Sequence, residues 1–290
     1  MKVLFLQNSP CIRNYKYANA LKKKGIEISL AYTDKSLSQR YPGLSDIVYN
    51  NLYHITDLKQ LWRIAKNFDL IHSHNEPDTL TIAALVSGTP VIHDTHDLIS
   101  LRDKTKTETA YFEGIANRGA HGRIYSTPYQ MNKAKQFYDV EGSSLVIYNY
   151  ISLDDKPKQF LPKLSDKDGK VHIVYEGGLG GAAHRKFSNI FIDLAMQGFM
   201  VHIYPASFSD KIQKTFEPYP TIFYKKPVSP EILMTEMTQY DYGIIPWNVV
   251  EENREFLDST IANKLFEYLA AGLPVFTSDV ESYRIYFSSH

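Results

Sequence analysis

Short β-branched or aromatic runs alternate with helical patterns along the whole chain, and this alternation leaves few folds open. Strands that alternate with covering helices give parallel sheets clothed on both faces. In the first half, strands are expected near residues 2–7, 27–32, 47–52, 70–74, 91–96, 122–127 and 145–150, with helices at 13–24, 57–67, 78–87 and 129–138. Gly25 stands where a helix C-cap belongs, and Pro90 opens a strand, where its missing N–H is tolerated. Residues 152–170 break the rhythm. The segment SLDDKPKQFLPKLSDKDGK carries two prolines, five lysines and four aspartates, as an exposed linker does. Alternation resumes with strands near 171–176, 200–204, 221–224, 242–246 and 274–277, and helices near 184–197, 210–217, 230–239 and 259–271. The expected class is α/β, with two doubly wound domains (1–151 and 171–290) joined by 152–170 and facing a cleft at the strand carboxyl ends.

Composition removes other classes. The chain is 43% apolar and 22% charged, so it can bury two cores and is not disordered. No run approaches the roughly 20 apolar residues of a membrane span, and the start MKVLFLQNSPCIRN turns polar too soon for a signal peptide. The lone cysteine, Cys11, permits neither an intramolecular disulfide nor a cysteine-based zinc site. These features suit a cytoplasmic protein. The net charge of zero hides an asymmetry: residues 1–150 hold 18 Lys+Arg against 14 Asp+Glu, and the second half mirrors this. A basic first half could meet an anionic acceptor, a membrane surface or the acidic second half. Ordinary surface scatter explains the same counts, and nothing resembles a nucleic-acid footprint.

Two helix starts are candidate anion sites. The first strand runs into NSPCIRN, where a dinucleotide-binding fold would carry glycines, yet none occurs between Met1 and Gly25. A nicotinamide or flavin site there is therefore not expected. Arg13 and Lys16 on the following helix could meet an anion or simply be solvated. In the second half, strand VHIVYE runs into Gly177-Gly178-Leu179-Gly180-Gly181, followed by His184, Arg185 and Lys186. Glycines let a ligand approach the backbone closely. Basic residues at a helix N-terminus oppose its dipole unless an anion binds there. An exposed basic turn remains the plainer reading of the same residues.

The last expected helix spans DSTIANKLFEYLAAG, capped by Asp258 or Ser259 and ended by Gly272 and Pro274. Ile261, Leu265, Tyr268 and Leu269 form its core stripe, whereas Asn263 and Glu267 share another face beside Lys264. Glu267 would lie about 12 Å along the axis from Ser259, so a diphosphate at the helix start would leave its ribose near that carboxylate. A surface Lys264–Glu267 pair would produce the same spacing.

At these residues the chain resembles the retaining GT-B glycosyltransferases of family 4. NKLFEYLAAGLPV is similar to the family's donor-site helix, with Lys264, Glu267, Tyr268, Ala270, Gly272, Pro274 and Val275 in K-x-x-E-Y-x-A-x-G-x-P-V spacing. LIHSHN and PVIHDTHDL resemble its fourth and fifth strands, VIYNYISLD its interdomain N-x-x-D segment, and VYEGGL with HRKFSNIFIDLA the elements that hold the diphosphate. The resemblance implies two Rossmann-like domains in GT-B architecture, acceptor side first. It implies transfer of a sugar from a nucleoside-diphosphate donor (UDP or GDP) to an unknown glycan, lipid-linked or small acceptor. Glu267 would bind the ribose, Arg185 the diphosphate, and Lys264 with Ile261, Ala262 and Asn263 the phosphate–sugar junction. Gly178 and Ser259 complete the expected donor contacts, and His96 matches the family's cleft histidine. The resemblance implies no bound cofactor and no metal, with the leaving diphosphate stabilised electrostatically.

Two departures stand out. Many relatives carry a second glutamate eight positions earlier, where this chain has Ser259, leaving Glu255 or Asp258 for the sugar contact. Relatives also continue beyond the equivalent of His290, so the donor domain is expected to be truncated, naturally minimal or completed by another subunit. Peripheral membrane contact through the basic first half and an oligomer are further expectations. The pairs His72/His74 and His93/His96, with Asp94 and Asp97, could alternatively be a hydrolase metal centre. Trp247 and Trp62 could border the cleft or belong to the core. An epimerase or phosphorylase of the same architecture, and a catalytically silent binding module, are the rival functions.

Overall fold

In the computed structural model, residues 1–34, 48–103 and 107–289 are described. The chain forms two compact units, Met1–Tyr148 with Asp258–Thr260, and Asn149–Leu257 with Ile261–His290.

The first unit is built on seven strands: β1 Lys2–Gln7, β2 Glu27–Tyr32, β3 Leu52–His54, β4 Leu70–His74, β5 Val91–Thr95, β6 Gly122–Tyr125 and β7 Ser144–Val146. Their order is β3-β2-β1-β4-β5-β6-β7, with every pairing parallel. The strand order reverses between β1 and β4, so the connections leaving their carboxyl ends part to opposite faces at this switch point. Both faces of the sheet are apolar. Leu4, Leu6 and Ile71 pack with Leu61 and Ala84 on one side, and Val3, Phe5, Ile28 and Leu30 with Ala18 on the other.

The expected strand at 47–52 begins at a residue outside those described, and the observed strand is Leu52–His54. Helix Thr107–Gly119 had no counterpart in the sequence reading. Its buried positions are Glu113, Gly114, Ala116 and Asn117, so no apolar stripe announces it. Buried Glu113 accepts from the Ile99 and Ser100 backbone N–H groups and from the hydroxyls of Ser100 and Tyr138, tying this helix to the turn Ile99–Arg102.

The second unit repeats the plan with five strands: β8 His172–Gly177, β9 Met200–Pro205, β10 Ile222–Tyr224, β11 Tyr242–Ile245 and β12 Val275–Thr277. The order is β10-β9-β8-β11-β12, again all parallel, and the switch point falls between β8 and β11. Phe187, Phe191 and Phe216 pack on Ile173, Tyr175, Val201 and Ile203. Residues 152–170 are held to this unit. Leu161 N donates to Thr238 Oγ1 (3.0 Å), Ser165 Oγ to Asp241 Oδ1 (2.6 Å) and Lys163 Nζ to the Tyr240 carbonyl.

The helix expected at 259–271 begins only at Asn263, and a helix not expected from the sequence precedes it. Helix Glu251–Ser259 ends before Thr260, and helix Asn263–Ala270 begins after Ala262. Ile261 is buried, and the Tyr283 hydroxyl accepts from Ala262 N (3.3 Å), which draws the backbone out of the helical path. Ser259 therefore closes one helix and does not start the next, and neither Asp258 nor Ser259 caps the helix that carries Glu267.

Helix Asn263–Ala270 lies tightly on the sheet because Gly243 of β11 has no side chain. A Cβ there would sit 2.5 Å from the Tyr268 ring. Gly243→Ala is expected to cost about 1–3 kcal/mol, the range for overpacking a core. A urea midpoint that drops at unchanged slope would show it, and an unchanged midpoint would contradict this packing.

Candidate functional site

The carboxyl end of β8 and the start of helix Asn263–Ala270 converge in the second unit. Strand and helix are joined twice. The Glu176 N–H donates to the Tyr268 hydroxyl (2.9 Å), and the Lys264 ammonium donates to the Tyr175 hydroxyl (3.3 Å). Tyr175 in turn donates to the Gly178 carbonyl (2.6 Å). The backbone then makes a turn only glycine enters freely, with Gly177 at φ +114° and Gly180 and Gly181 at +75° and +78°.

Two cations lie against this loop. A Cβ on Gly177 would meet Lys264 Nζ at 2.8 Å, and one on Gly178 would meet Arg185 Nη1 at 3.0 Å. Glycine at both positions is what allows the ammonium and the guanidinium to approach the chain. Arg185 ends the 3₁₀ turn Ala183–Arg185, whose carbonyl accepts from Gly180 N (3.1 Å). Burial lowers the Lys264 pKa, opposed by the nearby Glu176 carboxylate. The helix start itself has Ala262 at the N-cap, makes no side-chain cap bond and carries no acidic residue in its first turn. Such a terminus offers backbone N–H groups and partial positive charge to an anion.

Of the expected donor residues, the structure brings Gly178, Arg185 and Lys264 to this loop, with Ala262 and Asn263 at the helix start. Glu267 lies one turn further along and is partly buried. Ile261 is a core residue, and Ser259 belongs to the preceding helix. Trp247 stacks on Tyr283 (5.3 Å), and the Trp62 indole N–H donates to the Ala83 carbonyl (2.8 Å) within the first unit.

In the first unit the residues at the β1, β4 and β5 ends form a buried network around Asp94. One carboxylate oxygen accepts from Arg13 Nε (3.0 Å) and the other from His72 Nε2 (3.0 Å). His72 and His74, alternate residues of β4, stack at 4.5 Å. His74 Nδ1 lies 2.9 Å from His96 Nε2, and His96 Nδ1 lies 3.6 Å from Cys11 Sγ. Both ring nitrogens of His96 are thus engaged within the unit.

Arg13, read from sequence as an anion ligand or a solvated cation, is neither. It is buried, with a second bond from Nη1 to the Ile147 carbonyl (2.9 Å). Burial opposes ionisation of Asp94, but Arg13 and His72 outweigh it and hold the carboxyl far below its usual range. Burial likewise opposes a Cys11 thiolate, yet His96 outweighs it and brings the thiol down to about 7. The effect on His96 is reciprocal: burial disfavours its charge, and Cys11 raises its pKa above the ordinary value. His74 is pushed well below its ordinary value, mainly by burial. Sequence reading missed Cys11 as a partner of His96, because the contact spans 85 residues.

His72, His74 and Asp94 place donor atoms within 4.8 Å of one another, a grouping of the size that could hold a metal ion. Its chemistry does not suit one. The Asp94 oxygens already accept from Arg13 and His72, and a divalent cation there would stand against a guanidinium.

Below this network, His93 Nε2 is 3.4 Å from Asp78 Oδ1, and His93 Nδ1 is 2.9 Å from Thr81 Oγ1. Burial, reinforced by Glu113 and Glu76, pushes Asp78 up to about 8, and burial lowers His93 to about 3. The pair is therefore neutral at neutral pH, which suits a structural role.

The chain's likenesses agree with this geometry. Residues 13–155 match the family profile described as Glycosyltransferase Family 4. No curated protein sequence matches the chain. Solved structures share its fold at low identity. The Anabaena protein HepE, determined with UDP-glucose, is 14% identical with a TM-score of 0.65, over 98% of this chain and 82% of that one. Sucrose-phosphate synthase from Thermosynechococcus elongatus is 12% identical with a TM-score of 0.67, over 98% and 82%. A glycosyltransferase from Rickettsia africae is 13% identical with a TM-score of 0.67, over 97% and 80%. The fold is GT-B, two Rossmann-like domains, and residues 13–155 are similar to a glycosyltransferase domain. Among the described residues no helix is long and apolar enough to cross a membrane.

The Asp78 arrangement gives a pH signature. Its folded pKa lies above the unfolded value near 4, so its contribution to stability is complete below about pH 4 and is lost as pH rises toward 8. Asp78→Asn removes that loss. Relative to the wild type, the variant is expected to be more stable at pH 8 than at pH 5, read from urea midpoints at both values. An equal offset at the two pH values would contradict a protonated Asp78.

Proposed function

We propose that this enzyme transfers a sugar from a nucleoside-diphosphate sugar to an acceptor, with retention of anomeric configuration and without a metal ion. The observation that carries the reading is the meeting of an uncapped helix start, a glycine turn and two cations at one strand end of the second unit. Positive charge fixed there by Lys264, Arg185 and the helix dipole matches the charge that a departing diphosphate develops. Glu267, one helical turn from Lys264, supplies a carboxylate able to accept from two ribose hydroxyls. Gly178 and Asn263 offer backbone to the phosphates; Ala262, whose N–H is held by the Tyr283 hydroxyl, and Ile261 buttress the turn, and Ser259 precedes it. The UDP-glucose complex of HepE, which shares the fold, supports a uridine nucleotide as donor.

In the first unit, which takes the acceptor side, His96 is the candidate catalytic group that the family resemblance implies. Its ring is fixed by Cys11 and His74, so its service is electrostatic and positional, and no protein nucleophile is assigned. Retention and metal independence rest on the family resemblance.

Calorimetric titration of UDP and GDP, with chelator present, tests the reading. One nucleotide is expected to bind with Kd of about micromolar order. Glu267→Ala is expected to weaken it about 10- to 100-fold, the range for lost hydrogen bonds to a charged group. Absence of binding by either nucleotide to the wild type would overturn the donor assignment.

A further inference from the structure

We infer that Tyr175 is a positioning residue of the diphosphate subsite, setting the Lys264 ammonium and the Gly178 peptide through a single hydroxyl. This rests on the donor-site reading above. Tyr175 is buried in β8, and its ring is gripped by Phe187 (5.3 Å) and Phe191 (5.2 Å) independently of the hydroxyl. The phenol has one proton, which goes to the Gly178 carbonyl at 2.6 Å. Its lone pairs remain for Lys264 Nζ at 3.3 Å, and the same ammonium lies 4.4 Å from the centre of the Tyr175 ring. One side chain therefore holds the lysine by its face and its edge together.

The bond to Gly178 has a consequence for anion binding. In a trans peptide the carbonyl and the following N–H point in opposite directions. Drawing the Gly178 oxygen inward to Tyr175 turns the Leu179 N–H away from the core. A backbone donor so turned, beside an ammonium and the Arg185 guanidinium, is chemistry for a phosphate group. Gly177 serves the same end, since any Cβ there would displace Lys264 Nζ. Neither the ribose nor the base enters this arrangement, so the contribution of Tyr175 falls on the phosphates alone.

Tyr175→Phe keeps the ring contacts and removes both hydroxyl bonds. Calorimetry with UDP and with uridine separates a phosphate role from a structural one. The variant is expected to bind UDP about tenfold or more weakly while uridine affinity stays unchanged. In turnover the donor KM is expected to rise more than kcat falls. A double-mutant cycle with Lys264→Met, each variant confirmed folded by circular dichroism, reads the coupling directly: Tyr175→Phe is expected to cost less once Lys264 is gone. UDP affinity unchanged by Tyr175→Phe, equal weakening of UDP and uridine, or fully multiplicative effects in the cycle would each overturn the inference. If wild-type protein fails to bind UDP and GDP while folded, the donor-site reading fails and this inference with it. If wild type binds and only the Tyr175 result is negative, the donor-site reading stands alone.

Discussion

Everything proposed for the second unit depends on Tyr268 lying flat on Gly243. That contact seats helix Asn263–Ala270 against β11, and the Tyr268 hydroxyl then reaches across to the Glu176 N–H of β8. Because β8 and β11 are neighbours at the switch point, one aromatic ring fixes where the helix begins relative to where β8 ends. Lys264 follows one turn before Tyr268 on the same helix and meets Tyr175. The glycine turn, the lysine and the open helix terminus are brought together by packing, before any ligand is considered. Preorganised positive charge of this kind needs no rearrangement when a diphosphate departs.

The first unit uses the same sheet order differently. Its switch point holds side chains that satisfy one another: Arg13 on Asp94, Asp94 on His72, His74 on His96, His96 on Cys11. A buried carboxylate is tolerated because its charge is matched by a guanidinium and its oxygens are hydrogen-bonded. The polar capacity of this switch point is largely spent internally, whereas the second unit directs its cations to backbone that a ligand can approach. That contrast supports the proposal that the diphosphate binds in the second unit.

Much of the fold was legible because alternation needs only local pattern: most strands lie within a residue or two of their expected positions. The glycine turn and the NKLFEYLAAGLPV segment were legible for the same reason, since spacing places Lys264 and Tyr268 on one helix. What stayed hidden depends on distant partners. Helix Thr107–Gly119 shows no apolar stripe, because Glu113 and Asn117 are buried to bond Tyr138 and Tyr125. The break at Thr260–Ala262 is set by burial of Ile261 and by Tyr283, twenty-one residues from Ala262. Arg13 reads as a surface cation until Asp94, 81 residues away, is placed beside it. Tyr175 looks like one apolar strand residue among several, and only tertiary structure reveals what its hydroxyl holds.

Hydrogen exchange of the folded protein with and without saturating UDP tests the central claim most directly, because it reads the location of the ligand. Slowed exchange is expected at the backbone amides of residues 177–181 and 262–267, with the Asp94 network of the first unit little changed. Protection absent from both segments, in protein shown to bind the nucleotide, would place the diphosphate elsewhere and contradict the site described.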